Sequence, residues 1–303
     1  MAVEHFADRL AALVEQRRSR VVLGLDPDPA LLWPVALAGD PGEGDPAQRA
    51  ADAVARHCAA AIDAAGAACV AVKLQLACFE RLGAAGWRAL AEVRAAAADA
   101  GLLAIADGKR GDVPVTASAY AQALVGSTPT PFGPVAGLGA DAFTANPLLG
   151  RDSLDPLIGA AAATGAGVFL LISTSNPGAA DLQDLDAGGS ALHERVAALA
   201  DAAGARQTGQ CGLSMVGAVA GATRPERLAR LRKLMPRAIF LMPGVGAQGG
   251  DPVALGAAFA PHPAAGLITA SRSIVGAGGK GHGDPAARAA AAAEDLRAVT
   301  WNL

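Results

Sequence analysis

The sequence is poor in charged and aromatic side chains, and neither sign of charge dominates. Of its 303 residues, 17% are charged and 4% are aromatic; 25 basic and 28 acidic side chains give 25 − 28 = −3 as the formal net charge. Nucleic-acid binders need a basic face for phosphate contacts, so this slight acidity argues against such a partner. An anionic small molecule must instead be held by a few local cations and backbone amides.

Cysteine and long hydrophobic runs are also scarce. The four cysteines form no C-x-x-C pair, and a chain of this length needs no disulfides, so we predict reduced thiols. No run reaches the roughly 18 apolar residues of a membrane span. The N-terminus lacks the basic and apolar segments of a signal peptide. Together these absences predict a cytoplasmic protein with no membrane partner.

The most frequent pattern in the sequence is a repeated unit, a short apolar run followed by an alanine-rich helical stretch. The apolar runs show little alternation, which is typical of strands covered on both faces of a parallel sheet. The candidate strands are Val21–Leu25, Cys69–Leu74, Leu102–Asp107, Ala140–Thr144, Val168–Ser173, Leu213–Val219, Ala238–Met242 and Gly266–Ala270. The candidate helices are Gln48–Ala65, Arg81–Ala100, Thr116–Leu124, Ser153–Ala163, Ser190–Ala203, Arg224–Leu234, Pro252–Phe259 and Pro285–Val299.

Eight such units predict an α/β fold, a single (β/α)8 TIM barrel domain over residues 1–303. An amphipathic stretch, Val3–Arg18, is expected to cap the barrel bottom. A doubly wound open sheet is the competing topology, and periodicity alone does not exclude it. Segments rich in proline and glycine are predicted to be loops, namely Pro27–Pro46, Gly126–Gly139, Asn176–Gly189 and Gly276–Gly283.

Polar residues gather at the predicted strand ends, where a barrel places its active site. They are Asp26, Lys73, Asp107, Lys109, Asp141, Thr144, Ser173, Pro243-Gly244 and Ser271-Arg272. In a chain so short of charge, their convergence on one mouth is the strongest indication of function.

The run Asp107-Gly108-Lys109-Arg110-Gly111-Asp112 places two carboxylates around one ammonium group. Such a run is often only a solvated turn. Here it follows an apolar strand, and Lys73 lies within another apolar run, where an unpaired lysine is unfavourable. An alternating network of Lys73, Asp107, Lys109 and Asp112 suits decarboxylation without a cofactor. A lysine in it could donate a proton to a developing carbanion, and a carboxylate in it could destabilise the carboxylate of the substrate.

The seventh strand ends in Pro243-Gly244-Val245-Gly246-Ala247-Gln248-Gly249-Gly250-Asp251, and the eighth ends at Ser271-Arg272. In (β/α)8 enzymes the loops after these two strands commonly form a phosphate site. Glycines let backbone amides approach the oxyanion, and Arg272 adds a charged contact. A flexible hairpin is the plainer interpretation of the glycines, but their position favours phosphate binding.

These features together resemble the orotidine 5'-phosphate decarboxylase family, in its longer bacterial branch. The matching segments run in the family's order from the first strand to the eighth. They are Leu23–Asp28, Val72–Gln75, Asp107–Val113 with Thr116, Asn146–Gly150, Pro243–Asp251 and Ser271-Arg272.

The resemblance implies a homodimer without cofactor or metal that converts orotidine 5'-phosphate to uridine 5'-phosphate and carbon dioxide, the last step of UMP biosynthesis. It implies that Lys109 protonates carbon six of the pyrimidine, that Asp107 faces the substrate carboxylate and that Lys73 bridges the ribose and the charged network. The remaining implied roles are as follows: Asp112 and Thr116 reach the neighbouring subunit's site, Asp26 binds a ribose hydroxyl, the region of Ser173 contacts the pyrimidine, and Pro243, Gly244, Gln248 and Arg272 hold the phosphate.

Two residues depart from the family pattern, Gly108 in place of alanine and Pro114 in place of glycine, and neither removes a charge. Two other functions stay open. A magnesium-dependent sugar-phosphate decarboxylase or aldolase of the same scaffold carries a metal-binding carboxylate where this chain has Lys73, and a cation there repels magnesium. A non-catalytic nucleotide-phosphate-binding barrel has no need of the four-residue charged network.

Overall fold

Eight parallel strands close into a barrel in the computed structural model, which describes residues 3–245, 249–278 and 283–303. Each strand pairs with its neighbours in sequence, and the last pairs with the first. The predicted barrel is therefore confirmed and the open sheet is wrong. The strands are β1 Val21–Leu25, β2 Ala71–Gln75, β3 Leu103–Arg110, β4 Ala142–Ala145, β5 Gly167–Ser173, β6 Ser214–Ala220, β7 Ala238–Pro243 and β8 Gly266–Ala270.

Helices follow the strands as predicted, with one difference of type: the stretch Pro252–Phe259 after β7 is a 3-10 helix. The long α-helices are α1 Phe6–Arg17, α2 Pro46–Ala65, α3 Gly83–Asp99, α4 Pro114–Leu124, α5 Arg151–Thr164, α6 Leu192–Gly204, α7 Pro225–Leu234 and α8 Pro285–Trp301. Shorter helical segments are Pro34–Leu37, Gly66–Ala68, Leu76–Glu80, Pro177–Ala179, Ala180–Gln183, Pro263–Ala265 and Val275–Gly278.

The continuous apolar runs became strands because both of their faces are covered. Every residue of β1, β4, β6 and β8 is buried, between the barrel interior and the helical layer. The buried ring of His57 on α2 is paired within that layer, since its Nδ1 accepts the backbone N–H of Trp33 at 3.1 Å. The core thus extends around the whole barrel wall.

The N-terminal helix α1 closes the barrel at the amino ends of the strands. Arg17 donates to the carbonyls of Gly66 and Cys69, at 2.8 and 2.7 Å, just before β2. Arg9 pairs with Asp141 at 2.5 Å, immediately before β4. The predicted cap is therefore present. The placement of Asp141 at the functional mouth is wrong, because the residue precedes its strand and joins that cap.

The predicted loops contain short elements of structure. Ser127–Thr128 pairs antiparallel with Val135–Ala136, forming a hairpin whose Phe132 is 98% exposed. The Pro27–Pro46 and Asn176–Gly189 segments each include short helical turns. Gly276–Gly283 lies only partly within the described residues. Among the described residues, no helix combines the length and apolar character needed to cross a bilayer.

Candidate active site

A pocket of about 430 Å³ opens at the carboxyl ends of the strands. Among the described residues, its charged lining consists of five side chains from four strand ends: Asp26, Lys73, Asp107, Lys109 and Arg272. The rest of the wall includes residues at or after the ends of β5, β6, β7 and β8. The predicted convergence of these charges on one mouth is therefore present, since sequence-distant strands end at the same rim.

Asp107 is the centre of the charged network. Its Oδ2 accepts from the Lys73 ammonium at 2.8 Å, and its Oδ1 accepts from the Lys109 ammonium at 2.7 Å. Lys73 also lies 3.3 Å from Asp26 Oδ1. The side chains of Lys73 and Asp107 are each 9% exposed, whereas that of Lys109 is 41% exposed. Lys109 is thus the cation of this pair that faces the open pocket.

The electrostatic balance keeps Asp107 and Lys73 ionised. Burial by itself would raise the pKa of Asp107, but the ammonium groups of Lys73 and Lys109 outweigh burial and lower that pKa to about 2. Burial would likewise lower the pKa of Lys73, and the carboxylates of Asp107 and Asp26 outweigh it and raise that pKa. The pocket therefore holds a carboxylate fixed between two cations.

The local backbone explains how Asp107 and Lys109 reach the same place. Strand β3 continues to Arg110 rather than ending at Asp107 as predicted, and its register with β4 shifts between Ala106 and Arg110. Lys109 has a φ of 49°, in the left-handed backbone region that residues other than glycine rarely adopt. Asp107 and Lys109 are two positions apart, so their side chains belong to the same face of the strand, and the bulge bends the backbone between them at the mouth of the barrel.

The opposite side of the pocket carries the groups predicted to hold phosphate. Pro243, Gly244 and Arg272 all line it, and Arg272 is exposed. Gly244 has a φ of 101°, a conformation that glycine adopts without strain. Gln248 lies outside the described residues. At the ends of β7 and β8 the pocket is thus lined by a cationic side chain and by main-chain atoms that lack a covering side chain at Gly244.

Ser173 does not line the pocket, because it is the last residue of β5 and is only 4% exposed. The wall is formed instead by the next three residues, Thr174, Ser175 and Asn176. Gln183 fixes this segment, since its Oε1 accepts from Thr174 N at 2.9 Å and its Nε2 donates to Thr174 Oγ1 at 2.8 Å. The segment that follows Ser173 therefore lines the pocket, whereas Ser173 itself does not.

Asp112 and Thr116 lie apart from the pocket of their own chain. Both are half-buried beside the start of α4, where Asp112 Oδ1 accepts from Val113 N at 2.7 Å, and neither is among the lining residues. A role in a neighbouring subunit's site remains a prediction.

Two further side chains contact Asp107: Thr144, which the sequence places among the polar strand-end residues without a role, and Gln75, which it does not single out. Thr144 Oγ1 donates to Asp107 Oδ1 at 2.8 Å. Gln75, with its amide nitrogen turned toward Asp107, lies 3.1 Å from Oδ2 and 2.6 Å from the backbone oxygen of that residue. Both occupy the carboxyl ends of strands adjacent to β3, and that position is the signal that could have identified them.

Comparison with known proteins agrees with this geometry. The sequence profile of the "Orotidine 5'-phosphate decarboxylase / HUMPS family" matches residues 19–290. The orotidine 5'-phosphate decarboxylase of Rhodopirellula baltica is 42% identical over 270 residues, covering 89% of this chain and 88% of the relative. That of an Azoarcus species is 40% identical over 301 residues, covering 97% and 98%.

A solved structure of the OMP decarboxylase of Leishmania donovani is also similar. It superposes with a TM-score of 0.72 at 32% identity, covering 98% of this chain and 99% of that one. The barrel fold and the predicted enzyme class, a carboxy-lyase, are thereby confirmed. The chain belongs to the orotidine 5'-phosphate decarboxylase family.

Proposed function

We propose that this protein decarboxylates orotidine 5'-phosphate to uridine 5'-phosphate and carbon dioxide, the last step of UMP synthesis, and that Lys109 supplies the proton. The observation that carries the proposal is the Lys73–Asp107–Lys109 array, in which one buried carboxylate lies within 2.8 Å of both ammonium groups at the pocket floor. The names of the close relatives support the choice of substrate.

Asp107 destabilises the bound substrate before the carbon–carbon bond breaks. Its negative charge faces the position of the substrate carboxylate, and two like charges about 4 Å apart repel by about 4 kcal/mol at an effective dielectric of about 20. That repulsion disappears when neutral carbon dioxide leaves, so it lowers the barrier to breaking the bond. Because two cations hold the pKa of Asp107 at about 2, the residue cannot escape the repulsion by taking up a proton near neutrality.

Lys109 acts on the carbanion. The bond between carbon six and the carboxylate carbon breaks, its electron pair stays on carbon six, and carbon dioxide departs. The Lys109 ammonium then donates one proton to form the new C–H bond, and the resulting amine recovers a proton from water. The partial exposure of Lys109 suits both contact with the substrate and reprotonation.

The rest of the substrate is bound around this centre. Asp26 and Lys73 contact the ribose, the segment that begins at Thr174 contacts the pyrimidine, and Arg272 with the backbone near Gly244 holds the phosphate. In a homodimer, Asp112 and Thr116 complete the site of the other subunit. This assignment accounts for their absence from the lining of their own pocket.

The magnesium-dependent alternative is disfavoured by Lys73. Its ammonium lies 2.8 Å from Asp107 and 3.3 Å from Asp26, so it occupies the position between the two carboxylates where a divalent cation would bind. A cytoplasmic location is part of the proposal and is supported by the four cysteines, which are all free thiols.

The decisive experiment follows the loss of orotidine 5'-phosphate absorbance with purified protein after exhaustive chelation of metals. We expect full turnover from the wild type and a loss of roughly 100-fold or more in Lys109→Ala, with binding of uridine 5'-phosphate retained. Lys233→Ala, which removes an exposed lysine on α7, is the matched control and should retain full activity. An inactive wild type, or an active Lys109→Ala, refutes the proposal.

Subunit mixing tests the shared site. Lys109→Ala and Asp112→Ala homodimers should each be inactive, and a mixed dimer should contain one site with both residues intact. Activity should therefore reappear on mixing. No recovery after demonstrated subunit exchange contradicts the shared site and leaves the Lys109 assignment to its own test.

A further inference from the structure

One buried hydroxyl group lies beside the charged array and contacts two of its three members, Asp107 and Lys109. Thr144 is 0% exposed on β4. Its Oγ1 accepts the backbone N–H of Lys109 at 2.9 Å and donates to Asp107 Oδ1 at 2.8 Å. A single side chain thus connects the backbone of one charged residue to the carboxylate of the other.

The register of the sheet explains why this contact exists. Ala106 pairs with Phe143 and Arg110 pairs with Ala145, so residues 107–109 of β3 face the single residue Thr144 of β4. Within this bulge the backbone N–H of Lys109 donates to the side-chain hydroxyl of that residue. This bond satisfies an N–H that lies in a part-buried position, where leaving it unpaired would be unfavourable.

The bulge is also strained, and its strain lies at Lys109. A φ of 49° is unfavourable for a lysine and persists only where surrounding contacts hold it. The hydrogen bond from Lys109 N to Thr144 is such a contact. The second bond of the same hydroxyl orients Asp107 Oδ1, the atom that also accepts from the Lys109 ammonium at 2.7 Å.

We propose that Thr144 is a positioning residue for decarboxylation: its hydroxyl holds the bulge 107–109 in the conformation that brings the Lys109 ammonium and the Asp107 carboxylate together at the pocket. The inference rests on the proposed function of those two residues. Thr144 itself does not line the pocket, so it acts through them.

Thr144→Val tests this inference, because valine keeps the shape of the side chain and removes the hydroxyl, whereas Thr144→Ser keeps the hydroxyl. We expect kcat to fall roughly 10- to 100-fold in the valine variant, the range for loss of a hydrogen bond to a charged group. The affinity for uridine 5'-phosphate should change less than about threefold, because that anion is held at the other end of the pocket. The serine variant should recover most of the lost kcat.

Thr300→Val is the matched control, since Thr300 is equally buried but lies on α8 and donates within its own helix to Leu296 at 2.8 Å. It should leave kcat unchanged. The inference is overturned if Thr144→Val retains wild-type kcat, if Thr144→Ser is as impaired as the valine variant, or if product affinity falls in parallel with kcat.

Crystal structures of the two variants separate this inference from the proposed function. In Thr144→Val, Lys109 should leave the left-handed region, and in Thr144→Ser it should remain there, whether or not the wild type proves to be a decarboxylase. An unchanged Lys109 backbone in the valine variant overturns the positioning role on its own.

Discussion

The buried pair of Lys73 and Asp107 makes a quantitative prediction about stability. Lys73→Met removes the ammonium 2.8 Å from a carboxylate that is only 9% exposed. Removing one partner of a buried ion pair costs about 3–5 kcal/mol, and we expect about 3 kcal/mol here because Lys109 still contacts Asp107. Asp107→Asn alone should cost about 2 kcal/mol, since Lys73 keeps its contact with Asp26.

The double variant should be much less unstable than the sum of the two, because neither uncompensated charge remains. We expect a coupling free energy of about 2–3 kcal/mol from urea unfolding of the four proteins. The exposed pair of Arg151 and Asp155, whose side chains are 50% and 57% exposed, serves as the control, with an expected coupling below about 0.5 kcal/mol. Additive losses in the Lys73 and Asp107 cycle refute the reasoning.

The same cycle has a pH signature. In the wild type the pKa of Asp107 is lowered to about 2 from its ordinary 3.8, so its contribution to stability is fully present above pH 3.8 and is lost as the pH falls through about 2. Lys73→Met removes the positive charge that offsets the effect of burial on Asp107, so the pKa of Asp107 rises. The wild type therefore loses more stability than the variant below pH 3.8, and the destabilisation by Lys73→Met should be smaller at about pH 3 than at about pH 7.

Three further predictions concern single residues. Burial lowers the pKa of His57 to about 4 from 6.5, so about 3 kcal/mol of stability should be lost between pH 6.5 and 4; urea unfolding of His57→Asn should lack that slope, and an unchanged slope contradicts the assignment. In Gly24→Ala the new Cβ would lie 2.8 Å from Ser271 Cβ, so titration calorimetry should show roughly tenfold weaker binding of uridine 5'-phosphate; wild-type affinity would show that the strand end yields freely. In Gly108→Ala the new Cβ meets only the flexible end of Leu76 within 3.0 Å, so unfolding free energy should change by less than about 1 kcal/mol and kcat by less than about threefold; a larger change would mean that the bulge has no room for alanine.

The barrel could be predicted from sequence because its physical requirement is local. A strand covered on both faces must be apolar throughout, and the eight runs showed that pattern without reference to one another. The charged side chains at the strand ends were equally visible, since Lys73 and Asp107 interrupt or follow apolar runs. Their convergence then followed from parallel strands ending at one rim.

The details that depend on pairing between strands could not be predicted. The continuation of β3 to Arg110 requires a register shift against β4, which no pattern in β3 alone specifies. The sequence predicts a strand over Ala140–Thr144 that contains Asp141, whereas pairing with both neighbouring strands begins at Ala142, so Asp141 precedes β4. Ser173 is one residue away from the segment that lines the pocket, because this last residue of β5 is itself buried.

The helix that closes the barrel bottom has a consequence for how the chain folds during synthesis. Although α1 is made before every strand, its Asp8 accepts from the backbone of Gln210 and Cys211, and its Arg9 donates to the carbonyl of Gly165. The apolar face of α1 therefore has no complete docking surface until the chain up to Cys211 has left the ribosome, and β1 pairs with β8 only later still. Such long-range closure slows folding and exposes the nascent chain to aggregation, so the protein should depend on chaperones more than its regular, repeated units suggest.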